Sequence, residues 1–336
     1  MKQRNYNPEP LVLQEGYFLD KYYSNYEMLV LSTKNWKYNC MYQLKPNALS
    51  GHHRILQLST MQLAYVTRPG GTMHDTYSAL DSISVAVIEK CADKACFDCT
   101  KLEVGDIIFF DNTHPYRFVT NNSISFIIMN ININILSGLQ AKISQAFNHK
   151  IKDIHGAFST LLNETWDQFT NISEQKRDKH SYKEAEKKIL ALLETLLDTQ
   201  DLKISKLTKG EKVALAIRDQ VYAHMDGKVN IASLARQHNV SEGTLQNSFK
   251  SLFGFTPKNF LRQMKLNLVY RDLKEADIEY ETVSNVARRW GFMHMGHFSN
   301  YYTELFGENP SQTLKTPYLP ENSMSGECVE RQEEME

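Results

Sequence analysis

The feature that most constrains this chain is an internal repeat in its C-terminal third. Leu245-Gln-Asn-Ser-Phe-Lys-Ser-Leu-Phe-Gly-Phe-Thr-Pro257 matches Phe298-Ser-Asn-Tyr-Tyr-Thr-Glu-Leu-Phe-Gly-Glu-Asn-Pro310. Both read apolar-x-Asn-x-aromatic-x-x-Leu-Phe-Gly-x-x-Pro. Upstream, Leu234-Ala235-Arg236 parallels Val286-Ala287-Arg288, and a break follows each, at Asn239 and at Gly291. Asn230 and Thr282 stand where helix N-caps belong, with side-chain oxygens suited to the open amides of a first turn. Each unit thus reads as a short helix, a tight turn and a second helix stopped at glycine. That is the helix-turn-helix plan, whose second helix enters the major groove. Leu234, Ala235, Val240, Leu245, Phe249 and Leu252 would form the first core, and Val286, Ala287, Phe292, Phe298, Tyr302 and Leu305 the second. Between them Phe260, Met264, Leu268 and Leu273 recur at helical spacing and mark a linker helix. Successive major grooves on one face of B-DNA lie about 34 Å apart, a separation such a spacer suits.

The remaining two thirds divide by period. From about Arg54 to Asn130 the chain reads as β: Ile83, Val85 and Val87 alternate with Ser82, Ser84 and Ala86, as do Ile124, Phe126 and Ile128 with their neighbours. Pro69-Gly70-Gly71 and Gly105-Asp106 punctuate the run, and short strands so spaced suggest a small barrel or sandwich. From about Ile135 to Gln200 the period turns helical. Tyr182, Ala185, Ile189, Leu192 and Leu196 make a stripe that Leu193 and Leu197 widen. The polar segment Lys203 to Gly210 suits a hinge, and the acidic residues after Tyr318 suit a solvated, disordered tail. The expected organisation is 1–134, 135–202, a hinge at 203–210, 211–316, and a tail at 317–336.

With 336 residues the chain is long enough for two domains with separate cores. Its net charge of −1 counts mildly against nucleic acid, but only the contact face need be basic. From Lys203 to Lys315 there are 16 Lys and Arg against 11 Asp and Glu. No apolar run is long enough to span a bilayer and the N-terminus lacks a leader's apolar core, so a cytoplasmic protein is expected. Five cysteines without a leader fit reduced thiols.

The C-terminal segment resembles the AraC/XylS family of bacterial transcription regulators. The match covers about Val213 to Leu314 and is most specific from Ala287-Arg-Arg-Trp-Gly-Phe-Met-His-Met-Gly-His-Phe-Ser-Asn-Tyr-Tyr302 through Leu305-Phe-Gly-Glu-Asn-Pro310. The resemblance implies an α+β multidomain chain: a cupin-like β barrel that binds a small-molecule effector, a helical dimerisation pair, and an all-α domain of two helix-turn-helix units. It also implies promoter DNA as partner, a homodimer, and RNA polymerase contact if the protein is an activator. One departure stands out. The family commonly has a basic residue just after the conserved apolar residue of each reading helix, where this chain has Asn247 and Asn300. Asparagine can contact adenine with two hydrogen bonds, so base preference would change; a phosphate-facing role is the alternative.

With Leu245, Phe249, Phe298 and Tyr302 in the core, the outward residues follow. In the first unit Thr244, Gln246, Asn247 and Lys250 face solvent or DNA, with Gln246 and Asn247 the better base-readers and Lys250 suited to a phosphate. In the second, His294, Met295, His297, Asn300 and Tyr301 face outward. Arg236, Lys258, Arg288 and Arg289 are the expected backbone anchors; the alternative for each is an ordinary solvated charge. His294 and His297 could pair on a metal, but no third ligand stands near.

For the β region a sensor is favoured over an inert scaffold. Leu102-Glu-Val-Gly-Asp-Ile-Ile-Phe-Phe-Asp111 followed by His114-Pro-Tyr resembles the cupin strand-turn-strand. Catalytic cupins carry an H-x-H that is missing here, and adjacent His52 and His53 would point to opposite faces, which argues against an enzyme. Cys91, Cys96 and Cys99 have a spacing known from some zinc and iron–sulfur sites, but a loop that happens to carry thiols is the simpler reading, and no cofactor is expected. The stripe from Tyr182 to Leu196 could pack on its own barrel; pairing with a second chain is favoured. A metalloenzyme, or a cysteine-based redox or metal sensor on the same DNA-binding domain, are the rival functions.

Overall fold

The computed structural model describes residues 15–24, 39–199 and 207–316, apart from 49, 93–94, 99, 114–115, 148, 172–178 and 224–229. Hinge residues 203–206, the tail 317–336, His114, Pro115, Cys99 and Cys328 lie outside the described residues. Contacts divide the chain into two units, 1–265 and 266–336.

In the first unit the strands are β1 (Phe18–Tyr23), β2 (Asn39–Gln43), β3 (Gly51–Gln57), β4 (Met61–Arg68), β5 (Thr72–Thr76), β6 (Ser82–Cys91), β7 (Ala95–Phe97), β8 (Thr100–Leu102), β9 (Asp106–Phe110), β10 (Tyr116–Thr120), β11 (Ile124–Asn132) and β12 (Lys150–Lys152). They pair into two antiparallel sheets, ordered β1-β3-β4-β11-β6-β9-β12 and β2-β5-β10-β7-β8. Among the described residues neither sheet closes on itself. Of the barrel or sandwich that the strand spacing suggested, the described residues form two stacked sheets.

The alternation in β6 and β11 was expected to mark half-buried strands, and here the structure differs: both faces are covered. Val85, Val87, Ile107, Phe109, Ile127 and Met129 point to one face, where helices pack on them. Ala86, Ile88, Ile108, Phe110, Phe126 and Ile128 point to the other and meet Phe97, Tyr116 and Phe118 of the smaller sheet. A strand's period of two thus feeds two cores, one between the sheets and one beneath the helices. The turn at Gly70 and Gly71 needs glycine: both have positive φ, and a Cβ on Gly70 would stand 1.8 Å from the Asn122 carbonyl oxygen.

The covering helices are α1 (Gln140–Ala146), α2 (Ala157–Thr170) and α3 (Lys179–Thr199). The α3 stripe is the second correction. Tyr182, Ala185, Ile189, Leu193 and Leu196 are all buried in the core beneath the larger sheet, so the stripe packs on its own chain. A buried carboxylate on the same helix fixes the contact: Glu186 accepts from the Thr60 amide at 2.5 Å, the Thr60 hydroxyl at 2.9 Å and the Met61 amide at 3.0 Å. Short β12, which the sequence reading missed, extends the sheet from β9.

The C-terminal helices are α4 (Lys209–Ala223), α5 (Ile231–Gln237), α6 (Glu242–Phe253), α7 (Pro257–Glu275), α8 (Val283–Arg289), α9 (Met295–Phe306) and α10 (Pro310–Lys315). The hinge expected at 203–210 ends inside α4. Thr208 and Glu211 form a reciprocal capping box there, the Thr208 amide donating to the Glu211 carboxylate at 3.0 Å and the Glu211 amide to the Thr208 hydroxyl at 3.2 Å. Gly210 serves close approach rather than bending, since a Cβ would lie 2.4 Å from Ser248 Oγ on α6. No helix among the described residues is long and apolar enough to cross a membrane.

Candidate nucleic-acid interface

The repeat folds as two helix-turn-helix units, one in each contact unit. In the first, the Asn230 side chain accepts from the Ser233 amide and caps α5; Asn239, at φ 52°, makes the break. Ser241 caps α6 by accepting from the Thr244 amide at 3.0 Å, and Gly254 ends it at φ 75°. In the second, Thr282 caps α8 by accepting from the Asn285 amide, Gly291 breaks at φ 84°, and Gly307 ends α9 at φ 74°. His294 occupies the N-cap of α9 without a side-chain cap bond. The turns differ by one residue, 238–241 against 290–294.

Core burial follows the repeat. Ala235, Leu245, Phe249 and Leu252 are buried in the first unit, while Leu234 and Val240 are only half-buried. Val286, Ala287, Phe298, Tyr302 and Leu305 are buried in the second, with Phe292 half-buried. Phe249 sits edge-on to Phe253 and to Phe260, a cluster that fixes α6 against the start of α7. In the second unit Trp290 Nε1 donates to Asp272 at 2.8 Å, tying the turn to α7. The linker positions Phe260, Met264, Leu268 and Leu273 are all buried.

The opposite faces carry the candidate contacts. On α6, Thr244, Gln246, Asn247 and Lys250 are exposed, with Arg236 and Lys258 exposed on the flanking helices. On α9, His297 and Asn300 are exposed, as are His294 at its cap and Arg288 and Arg289 at the end of α8. Arg289 pairs with Glu281 at 3.0 Å. Met295 and Tyr301 sit less openly than the spacing suggests: both are half-buried and pack on the second core, Tyr301 with its ring stacked near His297. Asn247 and Asn300 occupy the same place in the two repeats, two residues beyond Leu245 and Phe298, and both face solvent. Met293, just before the α9 cap, was missed by the sequence reading. It is 71 % exposed, and its place in the turn, between Phe292 and the cap residue His294, was the available signal.

Of the candidate metal residues, Cys99 lies outside the described ones. Cys91 lies in β6 of the larger sheet and Cys96 in β7 of the smaller, where its thiol donates to the Asp98 carbonyl. Among the described residues no group of three or more His, Cys, Asp or Glu is placed to hold an ion. His52 and His53 do point to opposite faces: His53 is buried, and His52 stacks on Tyr22 beside Asp20.

The first unit also joins its reader to the β sheets. Arg117 on β10 binds Asp75 on β5 at 2.7 and 3.0 Å and Asp219 on α4 at 2.7 Å. Lys101 on β8 pairs with Glu211, which also accepts from Ser251 of α6 at 3.0 Å. Burial works against the Glu211 charge, but hydrogen bonds from Lys101, Thr208 and Ser251 outweigh it and hold the carboxyl down to about 2.

Residues 234–316 match the model of a family described as a helix-turn-helix domain. A Rhodococcus erythropolis protein, "Probable thc operon regulatory protein", is 38% identical over 104 residues, 31% of each chain. The Pseudomonas putida "XylDLEGF operon transcriptional activator 2" is 30% identical over 121 residues, 35% of this chain and 77% of that one. The chain spans under a third of the length of the first curated relatives it matches. Among solved structures, that of the AraC-like transcriptional activator CuxR is 13% identical with a TM-score of 0.38, covering 66% of this chain and 82% of that one.

Proposed function

The chain belongs to the AraC/XylS family of transcription regulators, and from that premise we propose that it is an effector-responsive, sequence-specific activator of promoter DNA. The observation that carries the proposal is the repeat itself. Two helix-turn-helix units share their capping, break and stop positions, and each turns an asparagine outward at the same repeat position. Helices α6 and α9 enter the major groove. Thr244, Gln246 and Asn247 on one, and His297 and Asn300 on the other, meet base edges, with His294, Met295 and Tyr301 at the margin of the second. Arg236, Lys250, Lys258, Arg288 and Arg289 hold phosphates, which sets register without reading sequence.

The two-sheet body takes the part of the cupin-like sensor at 1–134, with 135–202 as a helical element and 211–316 as the reader. Because the α3 stripe is buried in its own core, a homodimer would draw on other surfaces. A cytoplasmic location fits a promoter-binding protein, and RNA polymerase is the expected partner of an activator. The test is a mobility-shift titration of the full chain against genomic duplexes under excess random-sequence DNA. A subset of duplexes that stays shifted supports the proposal, and uniform competition of all of them contradicts it.

A further inference from the structure

The backbone hydrogen bonds of the two helix-turn-helix units align them residue by residue. At the entry to the first turn the Asn239 amide donates to the Arg236 carbonyl at 3.0 Å and the Val240 amide to that of Ala235 at 3.1 Å. In the second, the Gly291 amide donates to Arg288 at 2.9 Å and the Phe292 amide to Ala287 at 3.1 Å. Gly291 thus stands in the place of Asn239, and Phe292 in that of Val240. At the exit, the Leu245 amide donates to the Ser241 carbonyl and the Phe298 amide to the His294 carbonyl, both at 3.0 Å. His294 thus stands in the place of Ser241. Val240 and Ser241 are adjacent, whereas Met293 separates Phe292 from His294. Met293 is therefore the one residue of the second turn without a counterpart in the first.

The helices absorb none of this insertion: α5 and α8 are both 7 residues long, and α6 and α9 both 12. The turn carries the extra residue and presents it outward. Phe292 and Met295 on either side pack on the second core, while Met293 is 71 % exposed. A lone apolar side chain on a surface is ordinary. Its position makes this one informative, because the N-terminal end of a reading helix is the part that approaches base edges. The surroundings suit DNA as well. Arg288 and His294 are exposed beside the turn, and the first turn of α9 has no acidic residue, where that of α6 has Glu242.

We propose that Met293 is a specificity residue whose side chain packs on the 5-methyl group of a thymine in the major groove. The inference rests on the reading of α9 as a major-groove helix and names the base feature that its turn adds. Thymine is the base that carries a methyl group on this edge. An unbranched thioether side chain with three rotatable bonds can follow such a group closely. Cytosine in the same place offers an amino donor and no methyl, and a thioether sulfur accepts hydrogen bonds only weakly, so the contact favours thymine. The first unit lacks the inserted residue and hence the contact. The two half-sites therefore differ, with this thymine belonging to the second alone.

The test takes a duplex that the full chain retains against excess random-sequence DNA and replaces its thymines by deoxyuridine, one at a time. Each replacement removes a methyl group and keeps every hydrogen bond. By fluorescence anisotropy, one position should cost the unaltered chain about four-fold in affinity, the scale of one methyl group withdrawn from an apolar contact. Met293→Gln should bind the thymine and deoxyuridine duplexes equally at that position, and Met293→Leu, still apolar, should keep the preference for thymine. Absence of any such position in the unaltered chain overturns the proposal without recourse to a variant. So does a loss that persists undiminished in Met293→Gln. Either result leaves a chain that still selects duplexes, and only the Met293 assignment falls. A chain that retains no duplex selectively loses the reader and this contact together.

Discussion

At the residue scale, the question is what Asn247 and Asn300 do. Both sit exposed on the stripe opposite a buried apolar face, so neither is needed for packing. If they read adenine, Asn247→Ala and Asn300→Ala should each cost about 1–3 kcal/mol on the specific site and little on random DNA, as measured by fluorescence anisotropy. Equal losses on both sequences would place them on phosphates. Arg288 is the contrasting case, an exposed cation at the end of α8. Arg288→Ala should weaken all duplexes alike and reduce the slope of log affinity against log salt by about 1. An unchanged slope would remove it from the backbone. The asparagines were legible because the repeat fixes which positions are core and leaves the rest outward. The half-burial of Met295 and Tyr301 was not legible, because it depends on neighbouring helices that spacing does not place.

At the element scale, short helices depend on their ends, and α4 shows this best. Its capping box buries Glu211 against Lys101, Thr208 and Ser251, which ties a β strand, the helix start and the reading helix to one carboxylate. The folded group titrates near 2 against an ordinary value of 4.5. The folded state thus binds fewer protons, and the stability Glu211 adds is present above pH 4.5 and lost as pH falls towards 2. Glu211→Gln should flatten that acid limb in denaturant melts between pH 5 and pH 2.5; an unchanged limb would mean the carboxylate contributes nothing. The cap positions Asn230 and Thr282 were readable in the sequence because capping is local. The α3 stripe was not, because its period says that one face is apolar and not which surface covers it. Likewise the barrel became two sheets, since strand pairing is non-local and alternation alone does not fix closure.

At the scale of the whole molecule, one unit joins a two-sheet body to a reader, and a second unit carries the other reader. Among the described residues the body holds two buried histidines, His53 and His74. Burial first, then the Arg68 charge, keeps His53 and His74 well below 6.5, so the unfolded chain binds more protons beneath that value. Stability should be full above pH 6.5 and fall below it, by up to about 1.4 kcal/mol per pH unit for each histidine. Urea melts of the full chain and of His74→Gln between pH 7.5 and pH 5.5 check this: the variant should lose about half of the slope, and identical slopes would exclude His74. The central claim, that two units in one chain read one promoter, is tested most directly by selecting genomic fragments on the purified chain at rising salt and sequencing what stays bound. The account predicts a shared motif about two helical turns long, with affinity falling steeply as salt rises. Fragments without a common motif, or no retention even at low salt, would contradict it.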